Sequence, residues 1–312
     1  MSLVPSTVPH PLQADALRGT IAGMTQPSQP SQPNQPIPEE ALKAVTKTFI
    51  ISHERDDDAA LAQALVYNAG RLAWRMREAG LTTEFKTSVS DVVTAADRAA
   101  EDFIAETLRT LRPEDGLLGE EGTVAEGSSG RTWVIDPVDG TYNFTTGSDY
   151  WCSALALVEG DPEDPDKLVF GAVHRPAMGY TWFGGAGIPT TLDGNRLGSL
   201  ADLSPAESSL SGYLHPTDIA TPELNNIFTK VVSQFATVRF KGSASVDMAT
   251  VASGNRSCWV QHSVLPWDLL PGRALVEGVG GRCERVTAGG RTWSVAGSPS
   301  CVEAVTEQLK AV

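Results

Sequence analysis

From about residue 94 onward the apolar residues of this chain change period again and again, and that constrains its fold more than any other feature. Phe103, Ile104, Leu108 and Leu111 recur at helical spacing and the run stops at Pro113, which predicts a helix over 94–112. Short β-type runs follow at 132–135, 153–158, 168–174 and 181–183, divided by Gly, Pro and Asp turns. The second half mixes both periods: strand 208–214, helix 222–234, strand 237–240, helix 245–252 and strand 258–261. A helix over 268–279, a β pair within 283–295 and a final helix over 301–311 complete it. Ahead of all these, Asp56, Asp57 and Asp58 precede Leu61, Leu65, Leu72 and Met76, an amphipathic helix with acids at its positive end. Helix capping explains the three aspartates more simply than a metal cluster does. Helices and strands interspersed without strict βαβ regularity predict a layered α/β fold rather than a barrel or a dinucleotide-binding sheet. The pairs Gly184–Gly185 and Gly280–Gly281 do not form a GxGxxG entry after a strand.

Composition bounds the rest. The 312 residues, 41% hydrophobic, suffice for one large domain or two modest lobes. The Pro/Gln/Ser tract MTQPSQPSQPNQPIP cannot bury a core, so residues 1–50 are expected to be a disordered extension and 51–312 the folded domain. A net charge of −14 argues against nucleic acid, whose phosphates call for clustered Lys and Arg. No apolar run is long enough for a bilayer and no secretory pattern opens the chain, so the expectation is a cytoplasmic protein without a membrane partner. Cys152, Cys258, Cys283 and Cys301 lack zinc or redox spacing and read as reduced, mostly buried thiols.

Four acidic segments carry the chemistry: Asp91–Asp97, Gly119-Glu120-Glu121-Gly122, Asp136-Pro-Val-Asp139-Gly-Thr141, and Trp267-Asp268. Taken singly, three have plain readings. Asp97 fits a solvated helix residue, Glu120 and Glu121 loop charges, and Asp268 a helix cap. The DPVDGT segment does not. It sets two carboxylates three residues apart directly after the apolar run WVI, with a proline fixing the turn. Such a pair suits hard divalent cations, which take oxygen ligands and leave positions for water and phosphate. Gly140 lets backbone approach an anion, and Thr141 adds a hydroxyl beside N–H groups at the start of a helical turn.

The segments TSVSDVVTAAD, GEEG, WVIDPVDGTYNF and WDLLPGRALVEGVGG, in this order and spacing, resemble the signature set of the inositol monophosphatase family. The resemblance implies alternating αβαβα layers, a homodimer, and a Mg²⁺-dependent phosphatase with two or three ions that hydrolyses a small phosphate monoester without a phosphoenzyme. Carried over to matching residues, Glu120, Asp136 and the Val138 carbonyl would bind the first ion. Asp136, Asp139 and Asp268 would bind the second, and Glu120 a weaker third. Glu121 would act behind these ligands, and Asp97 with Thr141 would orient and deprotonate the attacking water. Gly140 and Thr141 amides would receive the phosphate. Lys86 would steady the metal-binding loop, with a merely solvated lysine the other reading. Asp268 would also face the substrate.

Two departures bear on substrate. Gln261 stands seven residues before Asp268, where the family often has a glutamate gripping inositol hydroxyls, and an amide cannot attract an ammonium as a carboxylate does. Gly242, Ser243 and Ala244 resemble the stretch that contacts the sugar ring, and a plain turn serves equally. Pro271 replaces an alanine and is expected in the first turn of the last conserved helix. The expected substrate is myo-inositol-1-phosphate, with histidinol phosphate, a sugar bisphosphate or a 3′-phosphoadenosine nucleotide as rivals. A non-catalytic scaffold on the same fold is the alternative outside enzymes. A calcium-binding module is disfavoured, since no EF-type loop occurs.

Overall fold

The computed structural model describes residues 38–80, 83–85 and 92–311, all within one compact unit. Its helices are α1 (Glu39–His53), α2 (Asp58–Ala79), α3 (Ala95–Leu111), α4 (Thr141–Thr145), α5 (Pro216–Ile219), α6 (Pro222–Val232), α7 (Ala244–Ala252), α8 (Pro266–Glu277) and α9 (Pro299–Lys310). The strands are β1 (Thr83–Phe85), β2 (Val92–Thr94), β3 (Gly116–Gly119), β4 (Val124–Ala125), β5 (Arg131–Asp139), β6 (Cys152–Asp161), β7 (Asp164–Arg175) and β8 (Tyr180–Gly185). They continue with β9 (Ile188–Leu192), β10 (Asn195–Arg196), β11 (Ser209–Gly212), β12 (Thr237–Arg239), β13 (Ser257–His262), β14 (Arg282–Ala288) and β15 (Arg291–Gly297). Among the described residues β1 and β2 pair with each other. An eight-stranded sheet runs β10-β9-β8-β7-β6-β5-β3-β4, and a five-stranded sheet runs β12-β11-β13-β15-β14.

Alternation along the strands builds the layers. On β5, Trp133 and Ile135 point to one face, where they meet Leu61 and Leu65 of α2 and Phe103, Ile104 and Leu108 of α3. Val134 points to the other and meets Leu270 and Ala274 of α8. The middle layer, α7 and α8, also packs on the second sheet, through Met248, Leu275 and Val276 against Trp259 and Ala296. The far face of that sheet is closed by α6 and α9, with Ile227, Val302 and Val305 around Trp293 and Val295. The result is the expected αβαβα stack. Trp133 is fully buried and its indole N–H donates to Asp115 at 2.8 Å. Truncation to alanine there should cost about 3–5 kcal/mol.

The three aspartates divide as capping chemistry requires. Asp57 caps α2 by accepting from the Ala60 N–H at 2.8 Å, Asp58 pairs with Arg112 and Arg131, and Asp56 pairs with His53.

Three expectations need correction. Helix α1 begins ahead of the boundary at 51, and Phe49 packs on Phe103 with ring centroids 5.0 Å apart, so the fold includes it. Residues 1–37, with most of the tract, lie outside the described residues. Strand β7 starts earlier than its apolar residues do, because Lys167 and Glu159 extend the hairpin with an ion pair at 2.8 Å. The polar strands β9 and β10 were not legible from hydrophobic pattern. Finally, α8 starts at Pro266, which puts Pro271 beyond the first turn, inside the helix. The Pro271 backbone crosses β7 so closely that a Cβ on Gly171 would lie 2.2 Å from its carbonyl oxygen.

Candidate active site

The site grows from the end of β5. Pairing with β6 slips between Asp136 and Asp139, a bulge at the position where Pro137 cannot donate to a ladder. Both aspartates are thereby buried. The chain then turns at Gly140, whose φ of +96° favours glycine, and a Cβ there would stand 2.9 Å from the Gly242 carbonyl oxygen. Helix α4 starts at once with Thr141.

The two carboxylates have opposite surroundings. Asp139 is bound into the start of α7: the Ser243 hydroxyl donates at 3.0 Å, and the Ala244 and Ser245 N–H groups at 3.3 and 2.5 Å. Burial raises its pKa to about 6, held down by those donors. Asp136 is fully buried and no N–H or O–H around it donates to either oxygen, while the Glu120 carboxyl lies within hydrogen-bonding reach. Burial pushes it well above the usual carboxylate range, reinforced by the charges of Glu120, Asp139 and Asp268. Asp268, in the first turn of α8, is raised to about 7 by burial and by Asp139. One oxygen from each of Asp136, Asp139 and Asp268 lies within 4.8 Å of the others.

Three carboxylates so close cannot all ionise without a counter-charge, and leaving both oxygens of a buried aspartate without a donor is costly. Divalent cations resolve both problems, and an all-oxygen donor set is what Mg²⁺ or a similar hard cation accepts. The residues present therefore fit a metal centre.

Asp97 is buried, not solvated. It closes a capping box at the start of α3, where its Oδ2 accepts from the Thr94 N–H at 3.1 Å and from the Thr94 hydroxyl. Its Oδ1 is buried without a partner, and burial lifts its pKa to about 6 while Thr94 and Thr141 lower it. The Thr141 hydroxyl itself donates to the Val138 carbonyl at 3.0 Å. The expected Asp97–Thr141 pair is thus adjacent, with the hydroxyl turned to the backbone. Glu121 faces Asp97 closely enough for its charge to raise that pKa further. Lys86 and Asp91 lie outside the described residues.

Above this floor opens a cleft of about 1120 Å³. It gathers Glu120, Asp136, Val138, Asp139, Gly140, Thr141, Gly242, Ser243, Ala244, Gln261 and Asp268. Asp97 and Glu121 lie outside its lining. Within Gly242–Ala244, Ser243 caps α7 and its hydroxyl donates to Asp139. Sequence reasoning missed the rim: Tyr142, Asn143, Tyr213, His215, Phe240, Lys241 and Asp247. Asn143 holds the two sides together by donating to the carbonyls of Tyr150 (2.8 Å) and Lys241 (2.6 Å). The buried Asp247 accepts from the Tyr150 hydroxyl at 2.7 Å and from Lys241 at 3.0 Å. One signal for that group was present: Asp247 interrupts the apolar series of α7, and a buried charge asks for a partner.

Comparison with known proteins agrees with this geometry. The model of the inositol monophosphatase family matches residues 54–311. A fructose-1,6-bisphosphatase/inositol-1-monophosphatase of Thermotoga maritima is 30% identical over 200 residues, 64% of this chain and 73% of the relative. A histidinol-phosphatase of Mycobacterium tuberculosis is 35% identical over 238 residues, 72% and 86% of the two chains. In fold, the crystal structure of the extragenic suppressor protein suhB from Bartonella henselae superposes with a TM-score of 0.71 at 24% identity, covering 80% of this chain and 97% of that one. With a family match over nearly all of the described domain, the chain belongs to the inositol monophosphatase family of metal-dependent phosphomonoester hydrolases.

Proposed function

We propose that this protein is a Mg²⁺-dependent phosphatase that hydrolyses a small polyol phosphate, with myo-inositol-1-phosphate the expected substrate, using two or three ions per site. The observation that carries the reading is Asp136, buried among Glu120, Asp139 and Asp268 with no donor to either of its oxygens. Asp136, Asp139, Asp268, Glu120 and the Val138 carbonyl are the groups that would hold the ions. When bound, such ions acidify water and neutralise phosphate charge.

The remaining work falls to the chain. The backbone N–H groups of Gly140 and Thr141 receive the phosphate. Thr141 and Asp97 orient a water for attack on phosphorus, and Asp97, with a pKa of about 6, takes its proton near neutral pH. As the new P–O bond forms, the ester oxygen leaves with the old bond's electron pair and takes a proton from a water molecule to become an alcohol. The leaving group lies against Gly242–Ala244 and Gln261.

The names of the relatives divide between inositol, fructose bisphosphate and histidinol substrates. Gln261, a neutral amide, favours a hydroxyl-rich leaving group over an amine. The family resemblance further supports a homodimer; among the described residues no helix is long and apolar enough to cross a membrane. A panel of inositol, histidinol, fructose and adenosine phosphates assayed with Mg²⁺ tests the reading. Fastest release from the inositol ester is expected. Failure to hydrolyse any of them would overturn it in favour of a non-catalytic scaffold.

A further inference from the structure

We infer that Glu101, which no part of the proposed chemistry uses, is the positioning residue that sets the metal affinity of the site. The inference rests on the reading that the Asp136 cluster holds divalent cations.

Glu101 lies on α3 one turn after Asp97, in register with Ile104 and Leu108, so a carboxylate occupies the helix's apolar stripe. It is only 2% exposed. A carboxylate in such a place needs compensation, and the turn between β3 and β4 supplies it. Glu101 Oε2 accepts from the Glu121 N–H at 2.8 Å and Oε1 from the Thr123 N–H at 2.8 Å. Backbone N–H groups converging in this way form a fixed cradle for an anion.

That cradle encloses Glu120. On one side the Glu120 N–H donates to the Ile135 carbonyl at 3.2 Å, one residue before Asp136. On the other, Glu101 holds the next N–H along the chain. The turn is closed by the Gly119 N–H donating to the Thr123 carbonyl at 2.7 Å. Gly119 also leaves room for the clamp, since a Cβ there would lie 2.5 Å from the Glu101 carboxyl carbon. Glu120 and Asp136 line the same cleft. Glu101 thus fixes the backbone from which a proposed metal ligand projects, without reaching the cleft itself. Partners of this kind behind a ligand typically tune metal affinity by 10–100-fold.

The test is Glu101→Gln, which keeps size but offers one acceptor where two are needed and turns an NH₂ toward a backbone N–H. Calorimetric titration with Mg²⁺ should show affinity lowered about 10–100-fold. Phosphate release at saturating Mg²⁺ should recover to within a few-fold of the parent. Glu101→Asp guards against a misfolded amide variant: it keeps the charge but loses a methylene of reach, and affinity should fall there too. A melting temperature lowered in metal-free protein with Mg²⁺ affinity unchanged would reduce Glu101 to a structural role and overturn the inference. If the parent protein binds no Mg²⁺, the reading of the site falls instead, and the inference with it.

Discussion

The floor of the cleft and its rim follow different rules. The floor comes mainly from one strand, one turn and one short helix, Asp136 to Thr141, and its carboxylates are buried against one another. The rim is drawn from α4 after Thr141, the ends of β11, β12 and β13 and the start of α7, and much of it faces solvent: Phe240 is 54% exposed, Tyr142 52% and Tyr213 38%. The floor is dominated by unfavourable electrostatics that a cation relieves. The rim is electrostatically satisfied, with Asp247, Lys241 and Tyr150 bound to one another. Changes to the floor should therefore alter whether the reaction occurs, and changes to the rim should alter on what.

The largest effect is expected from Asp136→Asn. Turnover should fall below detection while metal-free protein becomes more stable, because a buried, repelled charge is removed. A variant that kept its activity would abolish the distinction between floor and rim. Next, Asp97→Asn or Thr141→Ala should lower kcat by about 10²–10⁴-fold with Mg²⁺ affinity little changed. Affinity falling in step with rate would place these residues among the ligands.

A pH profile sharpens the floor's side of the comparison. Asp268 has a folded pKa of about 7 against an ordinary value of 3.8. The folded state therefore binds more protons than the unfolded between these values, and the stability this contributes is lost as pH rises from about 4 to 7. Metal-free Asp268→Asn should melt with the parent at pH 4 and above it at pH 7. Equal melting temperatures across the range would contradict the crowding of carboxylates.

On the rim, Gln261→Glu should shift the ratio of kcat/KM for histidinol phosphate over inositol phosphate upward by several-fold. A charged hydrogen-bond partner is worth about 1.5–3 kcal/mol against about 1 for a neutral one. An unchanged ratio would put Gln261 outside the substrate's reach. The smallest effect belongs to the N-terminal tract, whose deletion through residue 37 should leave rate and melting temperature as they were. Deletion through residue 50 would strip Phe49 from Phe103 and cost about 3–5 kcal/mol.

The same contrast explains what the sequence disclosed. Asp136, Asp139, Gly140 and Thr141 are contiguous, and an apolar run ending in two carboxylates has few meanings, so the floor was legible. Asp97 was named through the resemblance, and its other reading, a solvated helix residue, does not hold, because it lies on the same helical stripe as Ile104 and Leu108 and is buried. Lys241 and Asp247 are six residues apart and unremarkable until Tyr150, far away in the chain, is brought between them. Glu101 was overlooked because its partners are backbone N–H groups, which leave no mark on side-chain pattern. Likewise the short strands β9 and β10 pair with neighbours and carry little apolar pattern of their own.

On the proposed reading, the buried Asp136, to which no donor points, is held ready for divalent cations. Calorimetric titration of Mg²⁺ into the parent and into Asp136→Asn tests it most directly, with near-ultraviolet circular dichroism confirming that both are folded. Saturable binding to the parent, lost or greatly weakened in the folded variant, is the predicted result. Equal Mg²⁺ binding by the two proteins, or none by a parent that still releases phosphate, would contradict it.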